Sequence, residues 1–205
     1  MATPRQPAET RTKLLDAALD VVRTRGYAGT TVEDICAAAG VTKGSFFHHF
    51  QSKEALAVAA TKHFGDMAAG LFATAPFTRL ADPLDRLLGY IEFRTAILCG
   101  ELPRFTCLLG TMVQEAYDSH PVLREACEKG ISEHASIVAA DIAAAKSKYA
   151  PDAPWSAESL SFHIQAVIQG SFVLAKAKGG PQVAVECMEH LRRYVVLLFQ
   201  QRQPG

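Results

Sequence analysis

The sequence has no excess of charge of either sign, because its 21 basic side chains are balanced by 21 acidic ones. A strongly basic chain would have indicated nucleic acid or an anionic membrane, so either partner must be inferred from local features. No apolar run approaches the roughly 18 residues that cross a bilayer, and the first residues lack the apolar core of a signal peptide. We therefore expect a cytoplasmic protein without a membrane partner.

The sequence has few cysteines, and their spacing argues against a disulfide framework or a zinc site. The five cysteines form no CxxC pair, and their number is odd. Disulfide frameworks and zinc sites need paired or closely spaced thiols, so the pattern indicates reduced thiols, no bound metal and no cofactor. The five are Cys36, Cys99, Cys107, Cys127 and Cys187.

Alternation of apolar and polar residues, the pattern of half-buried strands, is also missing. Apolar residues instead recur at helical spacing through nearly the whole chain, which predicts an all-α fold. After a loose tail of ten residues, we predict a first helix that ends at Gly26. The later helices are predicted over about 32–39, 43–50, 52–73, 83–99, 103–117, 121–149, 156–179 and 182–201.

Short helices give way to long ones near residue 55, which indicates two domains. We expect a helix-turn-helix domain with its tail at 1–55 and a larger helical domain at 56–205. N-cap residues support the predicted helix starts. The N-cap candidates are Thr31, Thr42, Ser52, Asp82 and Ser156.

The stretch VTKGSFFHHFQSKEAL, residues 41–56, concentrates aromatic and titratable side chains on one short helix. On a helical wheel Phe46 and Phe50 share a face and are predicted to be core residues. Gly44 costs about 1 kcal/mol of helix propensity relative to Ala, which indicates that another surface approaches the backbone closely. The preceding helices complete a helix-turn-helix unit, whose second short helix enters the major groove of DNA.

The side chains that do not face the core have chemistry suited to DNA. Lys43 can bind a phosphate or a guanine edge, Thr42 and Ser45 can donate to phosphates or bases, and Phe47 can contact a thymine methyl group. Lys53, with the free amides at the start of the next helix, forms an anion site for a backbone phosphate.

The stretch LLDAALDVVRTRGYAGTTVEDICAAAGVTKGSFFHHFQSKEAL resembles the DNA-binding domain of the tetracycline-repressor (TetR) family of bacterial transcription regulators. The resemblance covers residues 10 to about 60, including the AGV turn, the KGS-x-x-x-H-F helix and the SKEAL segment. It implies that the protein binds double-stranded operator DNA. The contacts it implies are made by Thr31, Thr42, Lys43, Gly44, Ser45, Phe47, His48 and Lys53.

Phe47 departs from the family pattern, which commonly has Tyr at this position with its hydroxyl on a phosphate. Phe cannot make that bond, so we expect the contact to be lost or to be replaced by His48 or His49. A metal site formed by both histidines is disfavoured, because adjacent residues point about 100° apart on a helix.

The last two predicted helices, 156–179 and 182–201, are amphipathic and separated by a Gly-Gly-Pro turn. Their wide apolar stripes need cover, which self-association into a four-helix bundle would provide; packing within the monomer is the alternative. The resemblance implies a homodimer through this pair, with two recognition helices about one DNA turn apart.

The resemblance also implies a cavity for an unidentified small-molecule inducer in the remaining helices. His163 and Gln165 stand out because polar groups in an apolar helix need partners. The candidate cavity residues are Phe93, Ile97, Cys107, Met112, Gln114, His134, His163 and Phe172.

Cys107 supports an alternative, in which the protein is a thiol-based regulator. Some regulators of similar sequence, with a cysteine before a leucine at this point, respond to electrophiles or oxidants. Arg104, one turn earlier, and the helix N-terminus would favour the thiolate form of Cys107. Inert packing is the competing interpretation, since buried cysteines in Leu-rich helices are small hydrophobic residues.

The sequence as a whole predicts a homodimeric DNA-binding repressor that a small-molecule inducer releases from its operator. A helical enzyme is a weaker alternative. The sequence shows no nucleophile with a spaced base, no phosphate-binding loop and no spacing of metal ligands.

Overall fold

The computed structural model describes residues 7–200, and within this range the chain is all-α without strands, as predicted. Residues 1–6 of the predicted tail and residue 201 of the last predicted helix lie outside the described residues. Ten α-helices and the 3-10 helix Pro76–Arg79 make up the described chain. The α-helices are α1 (Pro7–Arg25), α2 (Val32–Ala39), α3 (Lys43–His49), α4 (Lys53–Ala73), α5 (Pro83–Ala96), α6 (Leu102–Phe105), α7 (Leu108–Ala116), α8 (Pro121–Tyr149), α9 (Ala157–Lys178) and α10 (Gln182–Gln200).

Side chains that bind free backbone amides set most of the helix starts. The Thr31 hydroxyl accepts a hydrogen bond from the Asp34 amide at 3.1 Å, and the Asp34 carboxylate accepts one from the Thr31 amide at 2.9 Å. This reciprocal pair is the capping box that the sequence predicts at the start of α2. The other predicted N-caps are also confirmed, because each side chain accepts a hydrogen bond from a backbone amide in the first turn of its helix. These caps are Thr42, Ser52, Asp82 and Ser156.

Three predicted helix boundaries are wrong. The first helix begins at Pro7 rather than after residue 10, which suits proline because the first helical position needs no amide donor. The helix from Pro83 ends at Ala96 rather than near Cys99. The single helix predicted over 103–117 is two helices, because Cys107 takes an extended backbone and caps α7.

The chain packs as two compact units. The first unit comprises residues up to 69 together with 106–131, and the second comprises 70–105 together with 132 onward. This packing does not coincide with the division predicted at residues 55 and 56. That residues 1–55 and 56–205 have different functions stays a prediction.

Each unit has its own core. In the first unit the most deeply buried large side chains come from α1 to α4, α7 and α8, and they include Leu14, Ile35, Phe46, Leu56, Leu108, Met112 and Leu123. In the second unit the corresponding side chains come from α5, α8 and α9, and they include Leu87, Ile91, Ile142, Ile164 and Ile168.

Ion pairs join the helices of the second unit at its surface. The Arg86 guanidinium on α5 donates to Asp141 on α8 at 2.7 Å, and Arg192 on α10 donates to Glu92 on α5 at 2.7 Å. Asp82 both caps α5 and binds Lys148 at 2.7 Å. The Lys148 ammonium holds the pKa of the Asp82 carboxyl well below its usual range.

Candidate nucleic-acid interface

Helix α3 divides its aromatic residues between the core and the surface. Phe46 is fully buried and Phe50 nearly so, and their ring centroids lie 5.9 Å apart. Phe47 is 55% exposed, although its ring packs edge-on against Phe46 at 5.1 Å. The predicted core face of this helix is therefore confirmed, and Phe47 is the large apolar side chain that α3 offers to a partner.

The other predicted DNA contacts differ in how far they are exposed. Ser45 and His49 are half-buried, and a Cβ atom added at Gly44 would meet only Thr42 Oγ1, at 3.7 Å. Space at Gly44 is therefore open toward solvent, as a close approach by another molecule requires. The exposed members of the set are Thr31, Thr42, Lys43, Gly44, Phe47 and His48.

Two threonine hydroxyls of the predicted interface already serve as helix caps. Thr31 Oγ1 donates to the Asp34 carboxylate at 2.7 Å and accepts from its amide. Thr42 Oγ1 accepts from the Ser45 amide at 3.1 Å and lies 3.1 Å from Ser45 Oγ. A hydroxyl has one donor and two lone pairs, so these caps hold both side chains at the surface and leave only part of their bonding capacity for DNA.

Lys43 is exposed but paired, because its ammonium contacts the Glu33 carboxylate of α2. This hydrogen bond lowers the pKa of Glu33, so Glu33 is charged at neutral pH. If Lys43 contacts DNA as predicted, Glu33 competes with the phosphate or base for its ammonium. The sequence predicted the cation but not its acidic partner.

Lys53 lies at the start of α4, and its ammonium points into its own unit. Its Nζ donates to the Tyr27 carbonyl at 3.0 Å and to the Thr30 carbonyl at 2.9 Å, and it lies 4.3 Å from the centroid of the Tyr27 ring. Two of its three donors are therefore used to hold the loop between α1 and α2. The predicted phosphate contact stays a prediction, with one donor left to make it.

His48 and His49 stack edge to face with ring centroids 5.0 Å apart. Partial burial, together with the nearby His48 and Arg11 charges, lowers the pKa of His49. A neutral imidazole still donates one hydrogen bond. His49 can therefore replace the missing tyrosine hydroxyl as a donor, but it brings no positive charge to a phosphate.

An acidic residue of α7, which sequence reasoning missed, holds the loop behind the interface. The Glu115 carboxylate accepts a hydrogen bond from the Ala28 amide at 2.7 Å. The Tyr27 ring beside it packs edge to face on His120, with centroids 5.2 Å apart. No local pattern announces these contacts, because Glu115 and Ala28 are 87 positions apart.

Three of the predicted ligand contacts lie in the first unit. Met112 is fully buried and lines a cavity of about 10 Å³, which is near the lower limit for a single water molecule. Gln114 is exposed and donates to the Gly110 carbonyl of its own helix at 2.7 Å. Cys107 caps α7, and its Sγ accepts from the Gly110 amide at 3.4 Å.

The second unit gathers two other predicted contacts, Phe93 and His134, into one aromatic cluster. Phe72 lies at its centre, 5.7 Å from Phe93 and 5.2 Å from His134 between ring centroids. His134 Nε2 lies 2.9 Å from Tyr90 Oη, to which Gln165 donates at 3.4 Å. Burial, followed by the Arg94 charge, lowers the pKa of His134 to about 4, so its imidazole is neutral at neutral pH.

The remaining predicted contacts are dispersed. Phe172 is buried near this cluster and packs on Phe105 at 6.3 Å. Ile97 is half-buried at the C-cap of α5. His163 is exposed and packs on Tyr194 at 5.0 Å, whereas Gln165 is buried and donates to Tyr90 Oη. A ligand contact by either residue stays a prediction.

Two family models match the chain. Residues 14–60 match the model of bacterial regulatory proteins of the tetR family, and residues 83–191 match the model of the tetracyclin repressor-like C-terminal domain. The first match contains α3, and the second contains Tyr90, Phe93, His134 and Gln165 of the aromatic cluster around Phe72.

Curated relatives and a solved structure agree with these matches. The chain is 39% identical over 87 residues to the transcriptional repressor KstR2 of Mycolicibacterium smegmatis, covering 42% of each chain. It is 34% identical over 115 residues to the repressor DhaR of a Mycobacterium species, covering 56% of each. The chain thus aligns with less than two thirds of the length of either relative.

The fold itself extends further than these alignments. A TetR transcriptional regulator from Chloroflexus aurantiacus superposes with a TM-score of 0.81 at 26% identity, over 94% of this chain and 96% of that one. No helix among the described residues is long and apolar enough to cross a membrane.

Proposed function

Because the chain belongs to the TetR family of bacterial transcription regulators, we propose that it is a homodimeric repressor that binds operator DNA and is released by a small-molecule inducer. The observation that carries the proposal is the arrangement of α3. Phe46 and Phe50 fix this helix to its own unit, while Lys43 and Phe47 are exposed beside an open glycine. A helix that is anchored on one face and exposed on the other can enter the major groove.

An exposed stripe along α9 supports the proposal that the protein is a homodimer. Positions spaced three or four residues apart form one face of a helix, and on α9 such a face is exposed and apolar. At its middle, a Cβ atom added at Gly170 would meet nothing within 4 Å. Small residues between large ones let two helices approach closely. The stripe consists of Phe162, Ala166, Gly170, Val173 and Ala177.

The aromatic cluster of the second unit supports the proposal that the protein binds a small-molecule inducer. Its rings supply apolar surface, and Tyr90, His134 and Gln165 supply polar groups that fix orientation, as ligand sites require. An inducer releases DNA only if it binds the DNA-incompetent arrangement of the dimer more tightly than the competent one.

Duplex DNA from the flanks of the protein's own gene provides the direct test. We expect salt-dependent binding in fluorescence anisotropy, because phosphate contacts release counterions. Lys43→Ala is expected to weaken binding and to reduce the slope of log Kd against log salt by about 1.

Lys62→Ala is the matched control, because Lys62 is also an exposed lysine in an ion pair, with Asp66 on α4. It is expected to leave the affinity and the salt slope unchanged. Equal effects of the two substitutions, or a wild-type protein that ignores all flanking duplexes, would contradict the proposal.

Cys107 supports a second candidate, a thiol-responsive regulator. Its side chain is half-buried, and its sulfur accepts a hydrogen bond from the Gly110 amide at the N-terminus of α7. Cys127, by contrast, is buried, and burial, followed by the nearby Cys107, raises its pKa to about 12. Of these two cysteines, Cys107 is therefore the one that a reagent can reach.

N-ethylmaleimide separates this candidate from the first, because it alkylates accessible thiolates. The thiol-responsive regulator should release DNA on alkylation in the wild type and in Cys187→Ser, which replaces another half-buried cysteine. Cys107→Ser should retain DNA. Release that persists in Cys107→Ser would rule Cys107 out as the sensor.

A further inference from the structure

Arg94, in the last turn of α5, lies against aromatic rings from three helices. Its Cζ atom is 5.3 Å from the ring centroid of Phe72 on α4, 5.9 Å from that of Tyr90 on α5 and 6.0 Å from that of Phe172 on α9. Tyr90 and Phe172 are buried, whereas Arg94 and Phe72 are half-buried. The guanidinium therefore lies against three aromatic rings and stays partly exposed.

No hydrogen bond or ion pair is formed by Arg94 with any residue in 7–200. Arg86, two turns earlier on the same helix, shows the usual arrangement, because it donates to Asp141 at 2.7 Å and to the carbonyls of Leu80 and Ala81 at 3.1 and 3.0 Å. Stacking on rings attracts the charge of Arg94 but uses none of its five N–H donors. The guanidinium fork of Arg94 is therefore available for a carboxylate.

Among residues 7–200, no carboxylate pairs with Arg94. The titratable and polar groups that face it are Tyr90 on α5, His134 on α8 and Gln165 on α9, which are joined by hydrogen bonds of 2.9 and 3.4 Å. Burial holds His134 in its neutral form, so Arg94 is the positive charge of this cluster. Glu92, the acidic residue of α5 nearest in sequence, binds Arg192 instead.

We propose that Arg94 anchors the inducer, and that the inducer is an organic carboxylate with a flat apolar body. The guanidinium fork matches a carboxylate with two parallel N–H···O bonds. The flat body stacks on Phe72 and Phe93, and the hydrogen-bonded group of Tyr90, His134 and Gln165 orients its polar edge. This inference rests on the proposed function and adds the chemical class of the inducer to it.

The probes are 2-naphthoate and its neutral amide, 2-naphthamide, titrated into the full-length protein by calorimetry. The acid is expected to bind at least tenfold more tightly than the amide. Arg94→Met is expected to remove this preference, and Arg94→Lys to keep a part of it, because an ammonium retains the charge but not the fork. Circular dichroism checks that both variants fold.

Arg79→Met is the matched control, because Arg79 is an exposed arginine of the neighbouring 3-10 helix Pro76–Arg79. It is expected to bind both probes as the wild type does. Equal affinity for acid and amide, no binding of either at millimolar concentration, or an acid preference that survives in Arg94→Met would overturn the proposal.

DNA binding is measured separately in the same samples. A wild type that binds its operator but shows no acid preference contradicts only the role of Arg94. A wild type that binds no operator contradicts the proposed function, whatever the probes do. Release of operator DNA by 2-naphthoate from the wild type and from Arg79→Met, but not from Arg94→Met, is the result expected if both are correct.

Discussion

At the scale of single residues, Gly26 shows how one position combines backbone strain with a tertiary contact. It ends α1 with a φ of 80°, a conformation that favours glycine. A Cβ atom at this position would also overlap the Glu115 carboxylate, which must then move away from the Ala28 amide. Gly40 has a φ of 64° but nothing within 4 Å of such an atom.

Replacing Gly26 is therefore expected to lower the free energy of unfolding more than replacing Gly40. Gly40→Ala is expected to cost about 1 kcal/mol from backbone strain alone. Gly26→Ala should cost roughly 1 kcal/mol more, because a charged acceptor also loses its partner. Urea denaturation measures both, and the extra cost should vanish when Gly26→Ala is made in a Glu115→Ala background. An equal cost at the two glycines would show that the Glu115 contact is unimportant.

His134 predicts a dependence of stability on pH. The unfolded chain takes up a proton near the ordinary histidine pKa of 6.5, whereas native His134 resists protonation down to about pH 4. The free energy of unfolding should therefore fall as the pH drops through this window, by at most roughly 3 kcal/mol. His134→Gln should remove this loss, as measured by urea denaturation at several pH values.

The control for this titration is His190→Gln, which replaces an exposed histidine of α10. It should keep the full dependence on pH. A dependence that is the same in His134→Gln and in the wild type would mean that His134 is not the group responsible.

At the scale of helices, Lys53 distinguishes a structural cation from a DNA contact. Its two carbonyl bonds tie the start of α4 to the loop between α1 and α2. Lys53→Met is therefore expected to lower the free energy of unfolding by roughly 1 to 2 kcal/mol. If the third donor of Lys53 binds a phosphate, Lys53→Met should also reduce the slope of log Kd against log salt by about 1. An unchanged slope would show that Lys53 has only a structural role.

The contact between Glu33 and Lys43 joins α2 to α3 and would compete with the proposed contact of Lys43 with DNA. Glu33→Gln should release Lys43 and remove a negative charge from the proposed phosphate surface, so the affinity for operator DNA should rise a few-fold, as fluorescence anisotropy would measure. Asp66→Asn, which breaks the exposed lysine pair on α4, should leave the affinity unchanged. Weaker binding by Glu33→Gln would indicate that the acid positions Lys43 for DNA.

At the scale of the whole molecule, the exposed stripe on α9 predicts how the chain associates. Val173→Glu places a charge in that stripe, at a side chain that is 47% exposed. It should convert a dimer to a monomer in sedimentation velocity and should weaken operator binding, because each half-site contact is then made alone. Val122→Glu, at a valine of α8 that is 59% exposed, should leave both unchanged. A dimer that survives Val173→Glu would place the interface elsewhere.

Much of the fold was predictable because its causes are local. The two residues of the capping box, Thr31 and Asp34, are three positions apart, and the core face of α3 follows from the spacing of Phe46 and Phe50. The boundary at Cys107 was missed because no glycine or proline stands beside it, and only Thr106 and the extended Cys107 separate α6 from α7.

The sequence by itself determined the helices, their caps, the exposed face of α3 and the resemblance to one family, because each depends on residues within a few turns of one another. Only the tertiary structure decided that Lys53 binds carbonyls 23 and 26 positions away and that Glu115 holds the Ala28 amide. It also decided that Arg94 lies unpaired among rings from α4, α5 and α9. Contacts between distant positions form when helices pack, and no periodicity along the chain encodes which side chains then meet.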